Sequence, residues 1–157
     1  MTTPERLLTP SKITAWLECP HYLSLQNLVD GGQVTIERRP FGSLAQLLAD
    51  KGLKHEADCL AAYRAAGKSV LEIPQREKTE RFSSWVERVG NPFDQGFDVI
   101  YQMPLVHQGV RGIADFLIRV EDRDTGRSGY EPVDAKLART AAKRGLVLLL
   151  CFYVDAI

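Results

Sequence analysis

The distribution of apolar and polar positions predicts that short β-strands alternate with helices. Apolar runs bounded by turn-forming residues predict four strands, near residues 69–73, 97–106, 110–120 and 130–137. The second of these runs alternates only weakly between apolar and polar side chains. It therefore indicates a strand that is largely buried.

Helical spacing of the apolar residues predicts the elements around these strands. Ser11 is expected to cap a first helix, which Pro20 ends or redirects, and HYLSLQNL continues as a second helical segment. Residues 41–66 predict a longer helix that is interrupted or kinked near Gly52.

Two further helices are predicted in the second half of the chain. The stretch 77–89 predicts an amphipathic helix with an apolar stripe made of Phe82, Trp85, Val86 and Val89. We interpret that stripe as core or interface rather than as a platform for stacking nucleic-acid bases. The final apolar run, LVLLLCFYVDAI, is too short to span a membrane and predicts a helix packed on the sheet. The expected fold is α/β, with a central mixed sheet flanked by helices.

Length and charge are compatible with many functions. The 157 residues suit one domain, 1–157, with a hydrophobic core. Twenty basic and twenty acidic side chains cancel, so no overall field attracts nucleic acid. The start of the chain, MTTPERLL, lacks the basic start and apolar core of a signal peptide. A cytoplasmic protein without a membrane partner is therefore expected.

The most informative segment is a predicted hairpin between Gly112 and Ala138, because it brings two carboxylates together. If the hairpin folds symmetrically about Asp124 and Thr125, paired positions sum to 249, and 115 plus 134 is 249. Asp115 and Asp134 would then face each other with Cβ atoms about 4.5–5.5 Å apart. Lys136, two residues further on, would project from the same face.

Two adjacent carboxylates on an apolar sheet repel each other unless one is protonated or a cation lies between them. Magnesium is commonly held by one or two carboxylates together with water and phosphate oxygens. A neighbouring lysine can orient the attacking water or stabilise charge on a phosphate. The alternative is that Asp134 and Lys136 form an ordinary solvated ion pair.

Five separated segments of the chain carry a resemblance to a known family. They are LLTPSKITAWLECPHYLSL near the N-terminus, KGLKHE at 51–56, DVIYQ at 98–102, ADFLIRV and YEPVDAKLAR. Together with the paired acids and the lysine, they resemble the RecB-like nucleases of the PD-(D/E)XK superfamily. This family is related to the RecB nuclease domain and to CRISPR-associated RecB-like exonucleases. The resemblance implies a metal-dependent deoxyribonuclease, an exonuclease that acts on DNA in repair or recombination.

By position, the resemblance assigns His55 as a helical metal ligand beside Asp115 and Asp134, with Mg²⁺ or Mn²⁺ as the ion. Lys136 would be the catalytic lysine. Glu56, next to His55, is an alternative helical ligand.

The last helix carries the remaining motif of the family and one departure from it. Tyr153 matches the tyrosine that supports the site in relatives. Leu149 stands where relatives usually carry a glutamine that helps to position the substrate.

Two further expectations concern the surroundings of the site. Cys19 resembles one ligand of an iron–sulfur cluster found in some relatives, but three cysteines cannot supply the usual four thiolates. Arg139, Lys143 and Arg144 are either a local DNA-binding strip or a solvated loop.

The end of the sequence suggests further partners. The chain stops soon after its last apolar helix begins, which predicts a C-terminally incomplete domain whose uncovered apolar face favours self-association. Relatives are often joined to a helicase-like region, so such a region or another protein is an expected partner besides DNA. The competing hypothesis is a catalytically degenerate module that keeps the nuclease fold and binds nucleic acid or protein.

Overall fold

The computed structural model describes residues 7–37, 42–122, 125–135 and 144–157, and within them the chain has an α/β fold. Four strands of this described part form one mixed sheet that helices flank. This confirms the predicted α/β class and the central mixed sheet.

The strands are arranged in the sheet in the order in which they follow along the chain. They are β1 (Val70–Glu72), β2 (Val99–His107), β3 (Val110–Glu121) and β4 (Ser128–Val133). β1 runs parallel to β2, and β2, β3 and β4 are antiparallel neighbours. Each predicted strand is present. β4 ends earlier than the predicted 130–137, so Asp134 follows directly after the strand.

The helices are α1 (Pro10–Glu18), α2 (Tyr22–Asp30), α3 (Ser43–Ala65), α4 (Phe82–Val89) and α5 (Arg144–Ala156). A 3₁₀ turn, Phe93–Gln95, precedes β2. No helix in the described ranges is long and apolar enough to cross a membrane.

Both faces of the sheet are covered by helices. On one face, Leu60 of α3 packs in a cluster with Phe116 of β3. On the other face, Trp85 of α4 and Tyr153 of α5 belong to a cluster with Leu117 of β3. Burial of each such side chain stabilises the fold by about 1.5–3 kcal/mol, so these two layers hold the helices against the sheet.

The apolar stripe of α4 lies in the core, as we predicted. Phe82 and Trp85 are 5% and 4% exposed, and the indole Nε1 of Trp85 donates a hydrogen bond to the carbonyl of Pro74 at 2.9 Å. The helix begins at Phe82 instead of residue 77. The reason is that Glu77 and Glu80 close a turn, in which the Glu80 carboxylate accepts from the Glu77 backbone at 3.0 Å.

The first helix begins at a different residue from the one predicted. Thr9, not Ser11, is the N-cap, and its hydroxyl accepts a hydrogen bond from the Lys12 backbone N–H at 3.3 Å. Pro10 occupies the first turn, where its fixed φ suits a helix and its missing N–H is no loss. Because Pro10 occupies the first helical turn, the N-cap is the residue before it, Thr9.

The predicted interruption near Gly52 is wrong, because α3 runs for 23 residues through this position. A single interior glycine costs about 1 kcal/mol relative to alanine. Pairs one turn apart support the helix on either side: Gln46 bonds to Asp50 at 2.9 Å, and Lys54 to Asp58 at 2.8 Å. The cost of the glycine is too small to break a helix of this length.

Candidate functional site

The register of the β3–β4 hairpin brings the two predicted carboxylates to the same end of the sheet. Phe116 pairs with Val133 and Ile118 with Glu131, so paired positions sum to 249 as predicted. Asp115 stands one residue before the first pair, and Asp134 stands one residue after it. The two aspartates therefore lie opposite each other where β4 ends.

Hydrogen bonding and burial define the surroundings of these two side chains. The Oδ2 atom of Asp115 accepts a hydrogen bond from the backbone N–H of Ala135 at 3.0 Å. The Oδ2 atom of Asp134 is inaccessible to solvent. Both residues are half-buried. Their carboxylates are thus held at the edge of the core instead of being fully solvated.

Tyr153 approaches the same site from α5. Its side chain is 4% exposed, and its hydroxyl donates a hydrogen bond to the carbonyl of Ile113 on β3. Burial raises the pKa of Tyr153, and the charges of Asp115 and Asp134 raise it further. The hydrogen bond to Ile113 places the Tyr153 hydroxyl against β3, two residues before Asp115.

The predicted helical ligand His55 lies on α3, above the other face of the sheet. Its Nε2 atom lies 3.8 Å from the Sγ atom of Cys59, one turn further along the helix. Its neighbour Glu56 reaches the sheet directly, because the Glu56 carboxylate accepts a hydrogen bond from the side-chain amide of Gln102 on β2. The structure thus gives Glu56 a bonded contact with the central strands, and it gives His55 a contact within its own helix.

Gln102 has an unusual backbone for a residue in the middle of a strand. Its φ is 60°, in the left-handed region, which costs a residue other than glycine about 1–2 kcal/mol. Gln108 also has a positive φ, of 47°, but it belongs with Gly109 to the tight turn between β2 and β3. No such turn accounts for Gln102.

The left-handed residue reverses the alternation of β2. Tyr101 packs with the cluster under α3, whereas Ile100 and Met103 both lie in the cluster under α4 and α5. In a regular strand, positions 100 and 103 would face opposite sides. The reversal turns the side chain of Gln102 toward α3.

Strand β3 shows the same reversal at Asp115. Ala114 and Leu117 share the cluster under α4 and α5, although positions three apart face opposite sides of a regular strand. Phe116 lies under α3. The two strands therefore change faces at the same level of the sheet, at Gln102 and Asp115.

Tyr101 completes this group of side chains. Burial raises the pKa of Tyr101 to about 12, and the hydrogen bond and charge of Glu56 and the charge of Asp115 contribute. The amide of Gln102 acts in the opposite direction. Glu56 is bonded to Gln102, and Asp115 stands opposite Gln102 on the neighbouring strand. We call Glu56, Tyr101, Gln102 and Asp115 the α3-side cluster.

Sequence reasoning missed Tyr101 and Gln102 as members of the site. The weak alternation of the stretch 97–106 was the available signal, since a strand that changes faces in its middle cannot alternate regularly.

The other residues that the sequence predicts for the site and its surroundings lie partly outside the described residues. Lys136, Arg139 and Lys143 lie outside the described residues, and so does the side chain of Arg144. Cys19 is exposed. Within the described ranges, no group of three or more histidine, cysteine, aspartate or glutamate side chains is close enough to hold a metal ion. Asp115 and Asp134 remain as the pair of hard oxygen donors.

Comparison with protein families, with curated proteins and with solved structures finds no match for this chain.

Proposed function

We propose that the chain is a divalent-metal-dependent nuclease of the PD-(D/E)XK type, which hydrolyses DNA phosphodiester bonds. The observation that carries this proposal is the β3–β4 register, which sets Asp115 opposite Asp134. The mixed sheet with α3 on one face and α4 and α5 on the other is compatible with such a core. The resemblance of five sequence segments to the RecB-like nucleases adds repair or recombination of DNA as the expected setting.

The donor set fits a hard divalent cation. Asp115 and Asp134 offer carboxylate oxygens, and Mg²⁺ or Mn²⁺ is commonly completed by water and by phosphate oxygens of the substrate. His55 remains the third ligand that the family resemblance implies. When bound, the ion supplies Lewis-acid stabilisation of the charge that develops on the phosphate.

The chain's own groups then have distinct roles. Lys136 orients the attacking water and stabilises negative charge. Tyr153, which the family resemblance places among the catalytic residues as a supporting contact, is buried and bonded to the carbonyl of Ile113, and so supports the β3 backbone beside Asp115.

A catalytically degenerate module is the second candidate. It is favoured by Leu149, which replaces the glutamine of relatives. Such a module would bind nucleic acid or a protein partner without cleaving DNA.

The test is cleavage of end-labelled single- and double-stranded DNA in Mg²⁺ or Mn²⁺, comparing wild type with Lys136→Ala. Lys78→Ala, in the exposed loop before α4, is the matched control. We expect metal-dependent cleavage by wild type and by the control, and a loss of about 100-fold or more in Lys136→Ala. Product lengths distinguish attack from an end from internal cutting. If folded wild type does not cleave, or if Lys136→Ala cleaves equally well, catalysis at this site is refuted.

A further inference from the structure

The reversal of the strands at Gln102 and Asp115 involves no inserted residue. Tyr101 pairs with Phe116 on one side of it, and Met103 pairs with Ala114 on the other. Both pairs sum to 217, so the register is unchanged across the reversal. A β-bulge would shift the register by one. The left-handed backbone of Gln102 accompanies the change of faces on β2, and Asp115 stands opposite it on β3.

The reversal of the strands connects the long helix α3 to Asp115 and Asp134, which we call the carboxylate site. The side-chain amide of Gln102 donates to Glu56 on α3. The apolar contacts of α3 with the sheet, at Leu60 and Tyr63, lie about one and two turns further along the helix. The Gln102 amide therefore ties the turn that carries His55 and Glu56 to the central strands, beside Asp115.

Asp115 lies opposite Gln102, because positions 102 and 115 both stand between the pairs Tyr101–Phe116 and Met103–Ala114. Tyr101, the neighbour of Gln102, packs against Phe116 under α3. The turn of α3 at His55 and Glu56 and the carboxylate of Asp115 thus meet around one strand position.

We propose that Gln102 is a positioning residue of the carboxylate site: its left-handed backbone and its amide clamp Glu56, and so fix the His55–Glu56 turn of α3 beside Asp115. The catalytic consequence of this clamp rests on the proposed nuclease function. The clamp itself does not rest on that function, because the contact between Gln102 and Glu56 holds α3 on the sheet whether or not the chain cleaves DNA.

Gln102→Gly separates positioning from folding. Glycine adopts the left-handed backbone without strain, so the fold should survive while the amide is lost. Gln108→Gly is the matched control, because it relaxes the other left-handed glutamine at the β2–β3 turn. Loss of a residue that orients a metal-site ligand lowers affinity or activity by about 10–100-fold. We expect that loss in kcat and in Mn²⁺ binding for Gln102→Gly, with KM changed by less than about twofold.

An exchange of the two partners provides the rescue experiment. Gln102→Glu alone sets two carboxylates against each other and should lower kcat at least as much. The double variant Gln102→Glu, Glu56→Gln restores an amide–carboxylate bond with donor and acceptor exchanged. It should restore the bond between β2 and α3 and so slow hydrogen exchange at the backbone amides of residues 53–57 relative to Gln102→Glu. If exchange there is as fast in the double variant as in the single one, the clamp is overturned.

Hydrogen exchange at the backbone amides of residues 53–57 tests the clamp without relying on catalytic activity. Without the clamp, exchange there should rise at least about tenfold, while the amides of residues 60–64 keep their protection. If wild type does not cleave DNA, the nuclease proposal fails and this exchange result alone decides the clamp. If wild type cleaves but Gln102→Gly keeps full kcat and unchanged exchange, the clamp fails and the nuclease proposal stands. Gln102→Asn, which tolerates the left-handed backbone but has a shorter side chain, repeats the test if the glycine variant does not fold.

Discussion

Gly112→Ala tests whether α5 packs on the sheet as the site requires. A Cβ atom at position 112 would lie 2.8 Å from a ring carbon of Phe152 and 2.8 Å from a ring carbon of Tyr153. It would also lie 3.1 Å from the Tyr153 hydroxyl oxygen. Because Tyr153 is only 4% exposed, its ring has little room to move away.

The expected cost follows from these contacts. Introducing an extra carbon into a packed site costs about 1–3 kcal/mol. Displacement of Tyr153 also breaks its hydrogen bond to Ile113, for a further loss of about 1 kcal/mol. The sum is about 3 kcal/mol, which lowers the melting temperature of a chain of this size by roughly 6–12 °C.

Gly129→Ala on β4 is the matched control, because nothing lies within 4 Å of a Cβ atom there. Urea unfolding followed by circular dichroism should give a lower midpoint for Gly112→Ala with the same slope, and a midpoint within about 0.5 kcal/mol of wild type for Gly129→Ala. Equal stability of the two variants would show that α5 does not lie against Gly112. The placement of Tyr153 beside the two aspartates would then be refuted as well, because Tyr153 lies on α5.

Three further predictions concern packing and pH. Gly145→Ala would set a Cβ atom 2.5 Å from the Thr14 methyl group, so it should lower the melting temperature, and Thr14→Ala in the same chain should restore most of the loss. The hydrogen bond from Arg88 lowers the pKa of Glu80 from 4.5 to about 2. The stabilisation of the fold by this ion pair is therefore present above pH 4.5 and disappears as the pH falls to about 2. In Arg88→Gln, the melting temperature should change less across that pH range. Burial raises the pKa of Tyr101 from 10.0 to about 12, so stability should decline between these pH values, and the decline should be shallower in Tyr101→Phe.

The hairpin that carries Asp115 and Asp134 was predictable because two local signals agree. Turn-forming residues mark the centre of the loop, and the apolar runs on both sides fix which faces are buried. A shift of one residue would turn every side chain to the wrong face, so the register is strongly specified. The observed pairing of Phe116 with Val133 is the one that the symmetry of the segment predicts.

Helix boundaries were less predictable, since tertiary context and neighbouring residues decide them. Thr9 replaces Ser11 as the cap because Pro10 suits the first helical turn. The helix through Gly52 survives because the cost of one glycine is small beside the many bonds of a 23-residue helix. Propensity alone therefore located these helices, but it misjudged where α1 begins and whether α3 is continuous.

The α3-side cluster could not be predicted, because it depends on a backbone feature that side-chain periodicity does not encode. A period of two assigns Gln102 to the face of Ile100, under α4 and α5. The left-handed φ of 60° moves it to the face of Glu56 instead. Sequence reasoning consequently found Glu56 only as the neighbour of His55.

The reversal at Gln102 and Asp115 favours a functional site over an inactive module. Two polar side chains at one level of the central strands are unfavourable for stability alone, and the left-handed backbone adds about 1–2 kcal/mol. Apolar residues at both positions of two regular strands would avoid both the strain and the need for hydrogen bonds, in a fold whose total stability is only about 5–15 kcal/mol. Local strain combined with polar groups in a packed core is typical of active and binding sites, where it serves to aim particular side chains. The strained residue Gln102 aims its amide at Glu56 and lies at the level of Asp115. Replacing Gln102 and Asp115 by apolar residues should therefore raise the stability of the fold and lower its activity.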